Sequence, residues 1–332
     1  MKSFICIFAV FLSINIFVPS IYYRVYHGTD KSIPAAPSSP FESPFFSETQ
    51  KGDSYVYYLY NLETGQTDEF DIISFLVGSA ACEVPASYNI EAIKAQMIAC
   101  HSYYLYCREN GLPDDDLNLS YDESRMQKYA SKNRLKEFWG NGFDDNYKKF
   151  MECAKEVRDI VVTYKGKTAL TPYYAVSCGT TQSSENEWGN ALEYLVPVES
   201  RTDALSDSYL KIKTFTVQEM YDRFILNFAG LELDMEHPEE WIGDISYNES
   251  GYVDTVKINK NKIRGRDFRK YFELPSSCFM IFFEDNEFSI ATKGYGHGVG
   301  LSQFGSNQMA AEGKNFEEIL NHYFPNTRLS TI

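Results

Sequence analysis

Two stretches of the sequence carry residues whose types and neighbours could do chemistry. In the first, Glu83 stands directly before Val84-Pro85, with Ala80 and Ala81 on its other side. Apolar surroundings desolvate a carboxyl group and raise its pKa, which suits a general acid. A nearby helix N-terminus acts the other way, because its partial positive charge favours the carboxylate. Taken alone, the residue reads equally well as a helix-entry carboxylate. In the second stretch, four glycines in the seven residues Gly294 to Gly300 surround His297. Glycine permits positive φ and lets another backbone or a ligand approach closely. A histidine there can bind a metal, transfer a proton or hydrogen-bond the backbone. A glycine-rich turn by itself is a weak signal and favours the last, structural role. Ser302 and Gln303 follow at once and could donate hydrogen bonds into the same groove, although Ser302 is also a good N-cap type for the final helix.

These residues need elements to position them. Ile90, Ile93, Met97, His101 and Tyr104 recur every three or four residues and predict a helix with Asn89 as N-cap and Gly111 as stop. The stretch Asp71 to Ala81 reads as a shorter apolar helix, broken at Pro85. Residues 54–70 read as two strands about Thr64-Gly65, and 159–176 as a hairpin about Gly166. A helix is expected over about 147–156, another within 214–228, a hairpin and short helix over 251–274, two strands over 276–294, and a last helix over about 302–312. The run SCGTTQSSENEWGN, Ser177 to Asn190, is small and polar, a long surface loop of the kind that often carries function. Strands and helices mix without regular alternation, so the expected class is α+β, forming a substrate groove.

Residues 1–27 read as a membrane anchor or signal. Phe4 to Tyr23 is almost wholly apolar, and about 20 such residues span a hydrocarbon core. No small-residue cleavage site follows, which favours an uncleaved helix over a signal peptide. Residues 28–54 contain IPAAPSSPFESP and read as a Pro- and Ser-rich tether. Residues 55–332 form the soluble domain under this reading, placed outside the cytoplasm on a single-pass anchor.

The chain has 332 residues and a net charge of −15. Such acidity argues against binding a nucleic-acid backbone, which demands basic patches. Seven cysteines without a C-x-x-C pair argue against a structural zinc ribbon. Cys100 and Cys107 on one helix lie about 10 Å apart along its axis, too far for a mutual disulfide.

Together the two stretches resemble the stage II sporulation protein D family, which shares its domain with amidase enhancers. The family has an acidic residue before Met-Pro, then a helix of the form E-A-L-K-A-Q-A-x-A-A-R-T-Y. This chain has Glu83-Val84-Pro85 and then EAIKAQMIACHSY. The serine- and glycine-rich segment and W-G of the family correspond to YYAVSCGTTQSSENEWG, Tyr173 to Gly189. The closing motif G-x-G-H-G-V-G-M-S-Q-Y-G-A corresponds to GYGHGVGLSQFGS, and R-G-x-x-F-R to Arg264 to Arg269. The resemblance covers roughly residues 70–329.

The resemblance implies a lytic transglycosylase that cuts peptidoglycan glycan strands between N-acetylmuramic acid and N-acetylglucosamine. It would act outside the membrane during engulfment in sporulation, alongside an amidase that first strips the stem peptides. The matched acid/base is Glu83. Lys94, Gln96, His101, Tyr174, Ser177, His297, Ser302 and Gln303 fall at matched positions expected to contact substrate. Lys94 could orient Glu83 or hold a sugar carbonyl; equally it could form a helix-face salt bridge. Two matched positions differ in type. His101 stands where the family has Arg, which trades a permanent fork of donors for a titratable ring. Tyr174 replaces a family His and Cys178 a Gly. Some relatives hold zinc through a His and a Cys near this loop, so no zinc is expected here by that route. The competing readings are a non-enzymatic glycan-binding module or amidase enhancer, and a metal-dependent hydrolase using His297 and Cys178.

Overall fold

The computed structural model describes residues 56–110, 119–228 and 230–332. Strands β1 (Val56–Asn61) and β2 (Gln66–Asp71) form an antiparallel hairpin, its turn closed by Gly65 N–H donating to Asn61 O at 2.9 Å. Helix α1 (Ile72–Glu83) starts where the Asp71 carboxylate accepts the Ser74 N–H at 2.9 Å. It stops at Val84, which is extended (φ −129°, ψ 144°), as the residue before a proline must be. Helix α2 (Ile90–Glu109) follows. Its stripe of Ile93, Met97, His101 and Tyr104 is buried, while Ile90 is exposed. Asn89 is its N-cap residue but caps nothing with its own side chain, which instead hydrogen-bonds Asn307.

After β3 (Ser120–Tyr121), which pairs in parallel with β1, come helices α3 (Lys132–Trp139) and α4 (Phe143–Val157). The helix expected over about 147–156 therefore begins earlier, and α3 is additional. Its polar sequence hides it: only Leu135 is buried, and Ser131 supplies the cap. Strands β4 (Ile160–Tyr164) and β5 (Lys167–Thr168) form the hairpin about Gly166. Strand β6 (Tyr173–Tyr174) and the short helix α5 (Ser184–Trp188) follow.

The middle of the chain builds β7 (Leu210–Thr216), α6 (Val217–Asn227), β8 (Ile242–Tyr247), β9 (Val253–Ile258), β10 (Asn261–Arg264), α7 (Gly265–Phe272), β11 (Phe279–Glu284) and β12 (Glu287–Lys293). These form two antiparallel three-stranded sheets, ordered β10-β9-β8 and β11-β12-β7. They close on an aromatic core in which Phe268 stacks on Phe272 and on Phe279 with ring centroids 4.2 and 4.9 Å apart. The chain then returns to the first core with β13 (Leu301–Ser302), α8 (Gln303–Ala311), α9 (Phe316–Tyr323) and β14 (Arg328–Thr331). Strand β14 pairs with β4, and β13 pairs in parallel with β6. Helix α2 is the hub of this core and packs against α1, α4, α8 and α9.

The architecture is α+β. The apolar stretch Phe4 to Tyr23 and the tether lie outside the described residues. Among the described residues no helix is long and apolar enough to cross a membrane.

Candidate active site

Glu83 is the last residue of α1. The helix end beside it is thus the C-terminal one of its own helix, whose partial negative charge disfavours a carboxylate and adds to the effect of burial. This corrects the sign that a helix entry alone would give. The carboxyl is partly buried, and burial raises its pKa above the usual carboxylate value. Two groups pull it back: Gln303 Nε2 donates to Oε2 at 3.2 Å, and the Lys128 ammonium acts through its charge.

The closing motif delivers Gln303 across 220 residues of sequence. Residues 294–300 are threaded between segments of 172–182. Tyr295 bridges Val176, Val299 bridges Gln182, and Leu301 and Ser302 pair with Tyr173 and Tyr174. Gly300 has φ +78°, and a Cβ there would strike the Pro172 carbonyl, so only glycine makes this crossing. Helix α8 then starts at once. Gln303 and Asn307, one turn apart on it, hold Glu83 and the Asn89 amide, the latter at 2.8 Å. Lys149 completes the frame by donating to the carbonyls of Ala86 (2.9 Å) and Tyr88 (2.5 Å) in the turn between.

The remaining matched residues fall into two groups. Gln96 and His297 hydrogen-bond Cys100 and Tyr173, two residues on which the Glu83 charge acts. Gln96, 1 % exposed, donates to Cys100 Sγ at 3.3 Å, and its Oε1 has no hydrogen-bond partner. The Cys100 thiol in turn points to the Tyr173 hydroxyl at 3.6 Å. Burial and the Glu83 charge push that thiol up to about 12. His297 Nδ1 accepts the Val299 N–H at 3.1 Å, so Nε2 carries the proton and donates to Tyr173 O, also at 3.1 Å. Burial, with Arg269 nearby, lowers its pKa to about 4 and keeps the ring neutral. Its ring nitrogens serve the backbone.

Lys94, His101, Tyr174, Ser177 and Ser302 are not brought to Glu83. The Lys94 ammonium is held by Glu91 at 2.9 Å and Glu156 at 2.5 Å. His101 is fully buried and shares a 2.5 Å hydrogen bond with the Tyr57 hydroxyl. One residue on from Cys100 is about 100° around the helix, which turns it towards β1. Tyr174 is buried with its ring 5.4 Å from that of His297. Ser177 N–H and Ser302 Oγ donate to Asp203 at 3.0 and 2.9 Å, and Ser302 also caps α8 through the Gly305 N–H. All three of these polar residues are fully buried.

Sequence reasoning missed Lys128, Cys100 and Tyr173 as neighbours of Glu83, and Asp203 as the knot of the buried network. Lys128 sits in a loop where it and Met126 take positive φ (66° and 53°). That loop docks on α1 through Ala130 N–H to Gly78 O at 3.3 Å. Nothing local in the sequence announces such a conformation. Tyr173 lies inside the matched segment and could have been singled out there.

Zinc does not fit the residues present. Tyr174 stands in the histidine position with its ring buried. His297 spends both nitrogens on the backbone. The Cys178 thiol, whose pKa is lowered by a hydrogen bond from Cys278, faces the Ser250 carbonyl at 3.4 Å. Among the described residues no group of three or more His, Cys, Asp or Glu side chains is placed to hold a metal.

The stage II sporulation protein family model matches residues 60–164. Stage II sporulation protein D of Bacillus amyloliquefaciens is 30 % identical over 275 residues, covering 82 % of this chain and 78 % of that protein. Its counterpart in Bacillus subtilis (strain 168) is 30 % identical over 287 residues, covering 86 % and 81 %. The amidase enhancer of the same Bacillus subtilis strain is 23 % identical, over 77 % of this chain and 40 % of that protein. With Glu83, Gln303 and the glycine-rich closing turn in one place, and with this similarity along most of its length, the chain belongs to the stage II sporulation protein D family.

Proposed function

We propose that the protein is a lytic transglycosylase that cleaves peptidoglycan glycan strands between N-acetylmuramic acid and N-acetylglucosamine. The observation that carries this reading is the state of Glu83: a partly buried carboxyl with raised pKa, attended by an amide and an ammonium. Hydrolytic glycosidases generally use two carboxyl groups, one of them for water or for a covalent intermediate. A lytic transglycosylase works with one. Protonated Glu83 gives its proton to the glycosidic oxygen as the bond to muramic C1 breaks. The carboxylate so formed takes the proton from the muramic C6 hydroxyl, whose oxygen closes on C1. The product is a 1,6-anhydro ring, no water is consumed, and Glu83 ends protonated. A pKa near working pH serves both halves of this cycle.

In this reading the substrate is the peptide-stripped strand left by a cell-wall amidase during engulfment. Phe4 to Tyr23 anchors the domain outside the cytoplasmic membrane. The test is mass spectrometry of peptide-free strands after incubation with the protein or its Glu83→Gln variant. Anhydro-ended fragments from the wild type alone are expected. A second reading, a glycan-binding amidase enhancer, draws on the 23 % identical relative of that name and on the burial of His101 and Tyr174. It predicts intact strands from both proteins, and faster release of stem peptides when an amidase is added.

A further inference from the structure

The chain has three tryptophans. Trp241 is a core residue, 2 % exposed, and Trp139 is partly buried, whereas Trp188 is 41 % exposed. A single exposed apolar side chain needs no explanation. Trp188 differs in having its backbone tied down on both sides and in lying against a residue of the closing motif. It is the last residue of α5, whose start is capped by Ser183 Oγ accepting the Asn186 N–H at 3.1 Å. Its end is closed by Gly189, left-handed at φ 78°, with N–H to Glu185 O at 2.8 Å. Arg266 donates to the carbonyl of the preceding residue, Glu187, at 2.8 Å. The Glu187 side chain is turned inward, where Gln182 Nε2 donates to it at 2.9 Å. That same Gln182 nitrogen reaches the His297 carbonyl at 2.5 Å. The indole lies against the His297 ring, with centroids 5.5 Å apart. His297 bonds the Tyr173 carbonyl, and the Tyr173 hydroxyl meets the Cys100 thiol.

Trp188, His297 and Tyr173 thus follow one another through direct contacts, and Tyr173 lies on the strand paired with Leu301 and Ser302, whose next residue, Gln303, holds Glu83. Trp188, His297, Tyr173 and Glu83 are each at least partly open to solvent. We propose that Trp188 is the stacking platform of a carbohydrate subsite, taking the apolar C–H face of a hexosamine ring further along the strand from the bond at Glu83. An indole offers a large flat face at little entropic cost when its backbone is already fixed. His297 acquires a role consistent with its neutral, backbone-bound state: it buttresses the platform. The inference rests on the glycan-strand reading above, and it names where that strand is gripped away from the reacting bond.

The test uses the full-length Glu83→Gln protein, so that strands are bound and not cut, with peptide-free glycan strands as the probe. Titration is expected to change tryptophan emission saturably. Adding Trp188→Phe is expected to abolish the emission change while sedimentation with strands keeps the affinity within about threefold, since a phenyl face still stacks. Adding Trp188→Ala is expected to weaken binding by about tenfold. In the otherwise wild-type enzyme, Trp188→Ala is expected to raise KM with kcat preserved, as loss of uniform binding does. Strands that bind the Trp188→Ala protein as tightly as its parent, or that bind without altering emission, overturn the proposal. So does an absence of binding to the parent. Saturable Trp188-dependent binding, with no anhydro products from the wild type, upholds the subsite and rejects the enzymatic reading instead.

Discussion

At position 83 three influences meet on one carboxyl group. Burial raises its pKa, while the Gln303 hydrogen bond and the Lys128 charge lower it. In the proposed mechanism Glu83 works in its protonated form as general acid, so activity is expected to fall as pH rises through this raised value. Gln303→Ala removes a donor that favours the carboxylate, and the pKa therefore rises further. The alkaline limb of the kcat profile is expected to move up by about one pH unit, the worth of a hydrogen bond to a charged group. Lys128→Met is expected to move it the same way. A limb that stays in place or moves down in both variants would show that neither group tunes Glu83. Glu83 and Gln303 were each legible in the motifs, though not as a pair; Lys128 was not legible, because its approach depends on a left-handed backbone stabilised by distant packing.

At the scale of elements, glycines set how closely helices meet their neighbours. On α1, a Cβ at Gly78 would collide with the Tyr129 ring and come within 2.6 Å of the Ala130 carbonyl. On α8, a Cβ at Gly305 would strike the Tyr323 and Ser200 hydroxyls, themselves hydrogen-bonded at 2.7 Å. Gly78→Ala and Gly305→Ala are each expected to cost about 1–3 kcal/mol by overpacking, read as a lower Tm in thermal melts. Gly78→Ala is also expected to reduce kcat in the protein that remains folded, because it displaces the loop bearing Lys128. Wild-type melting and kcat in both would contradict this account of the packing. Helices α1 and α2 were readable from apolar periodicity. Helix α3, polar and nearly unburied, was not, since its stability comes from a cap and from its neighbours.

Across the whole molecule, the buried His101 and the half-buried His297 make stability depend on pH. Burial lowers both His101 and His297 from 6.5 to about 4. In the unfolded chain they take up protons near 6.5, whereas in the folded chain they do not. Their contribution is complete above pH 6.5 and is lost as pH falls towards 4. Each shift corresponds to roughly 3 kcal/mol. The raised carboxyls of Glu83, Glu187 and Asp203 work in the opposite direction, so the comparison must be differential. Denaturant midpoints for His101→Asn are expected to vary less between pH 6.5 and 4 than those of the wild type. Parallel curves would mean that His101 is not held neutral by burial.

The sequence by itself determined the family, the α+β class, and the positions of most strands and of helices α1 and α2, and it put Glu83 and Gln303 forward as candidates. Motif order and local periodicity carry that information, because both depend on neighbours a few residues apart. Which matched residues stand at Glu83 was decided only by the tertiary structure. Cys100 and His101 are adjacent in the chain, yet the turn of α2 places one against Tyr173, where the Glu83 charge acts on it, and the other in the core against Tyr57. Ser177 and Ser302 lie far apart and read as site residues, yet both close on the buried Asp203. Burial and charge at a point in space sum over segments that meet only after folding, and no local pattern encodes that sum.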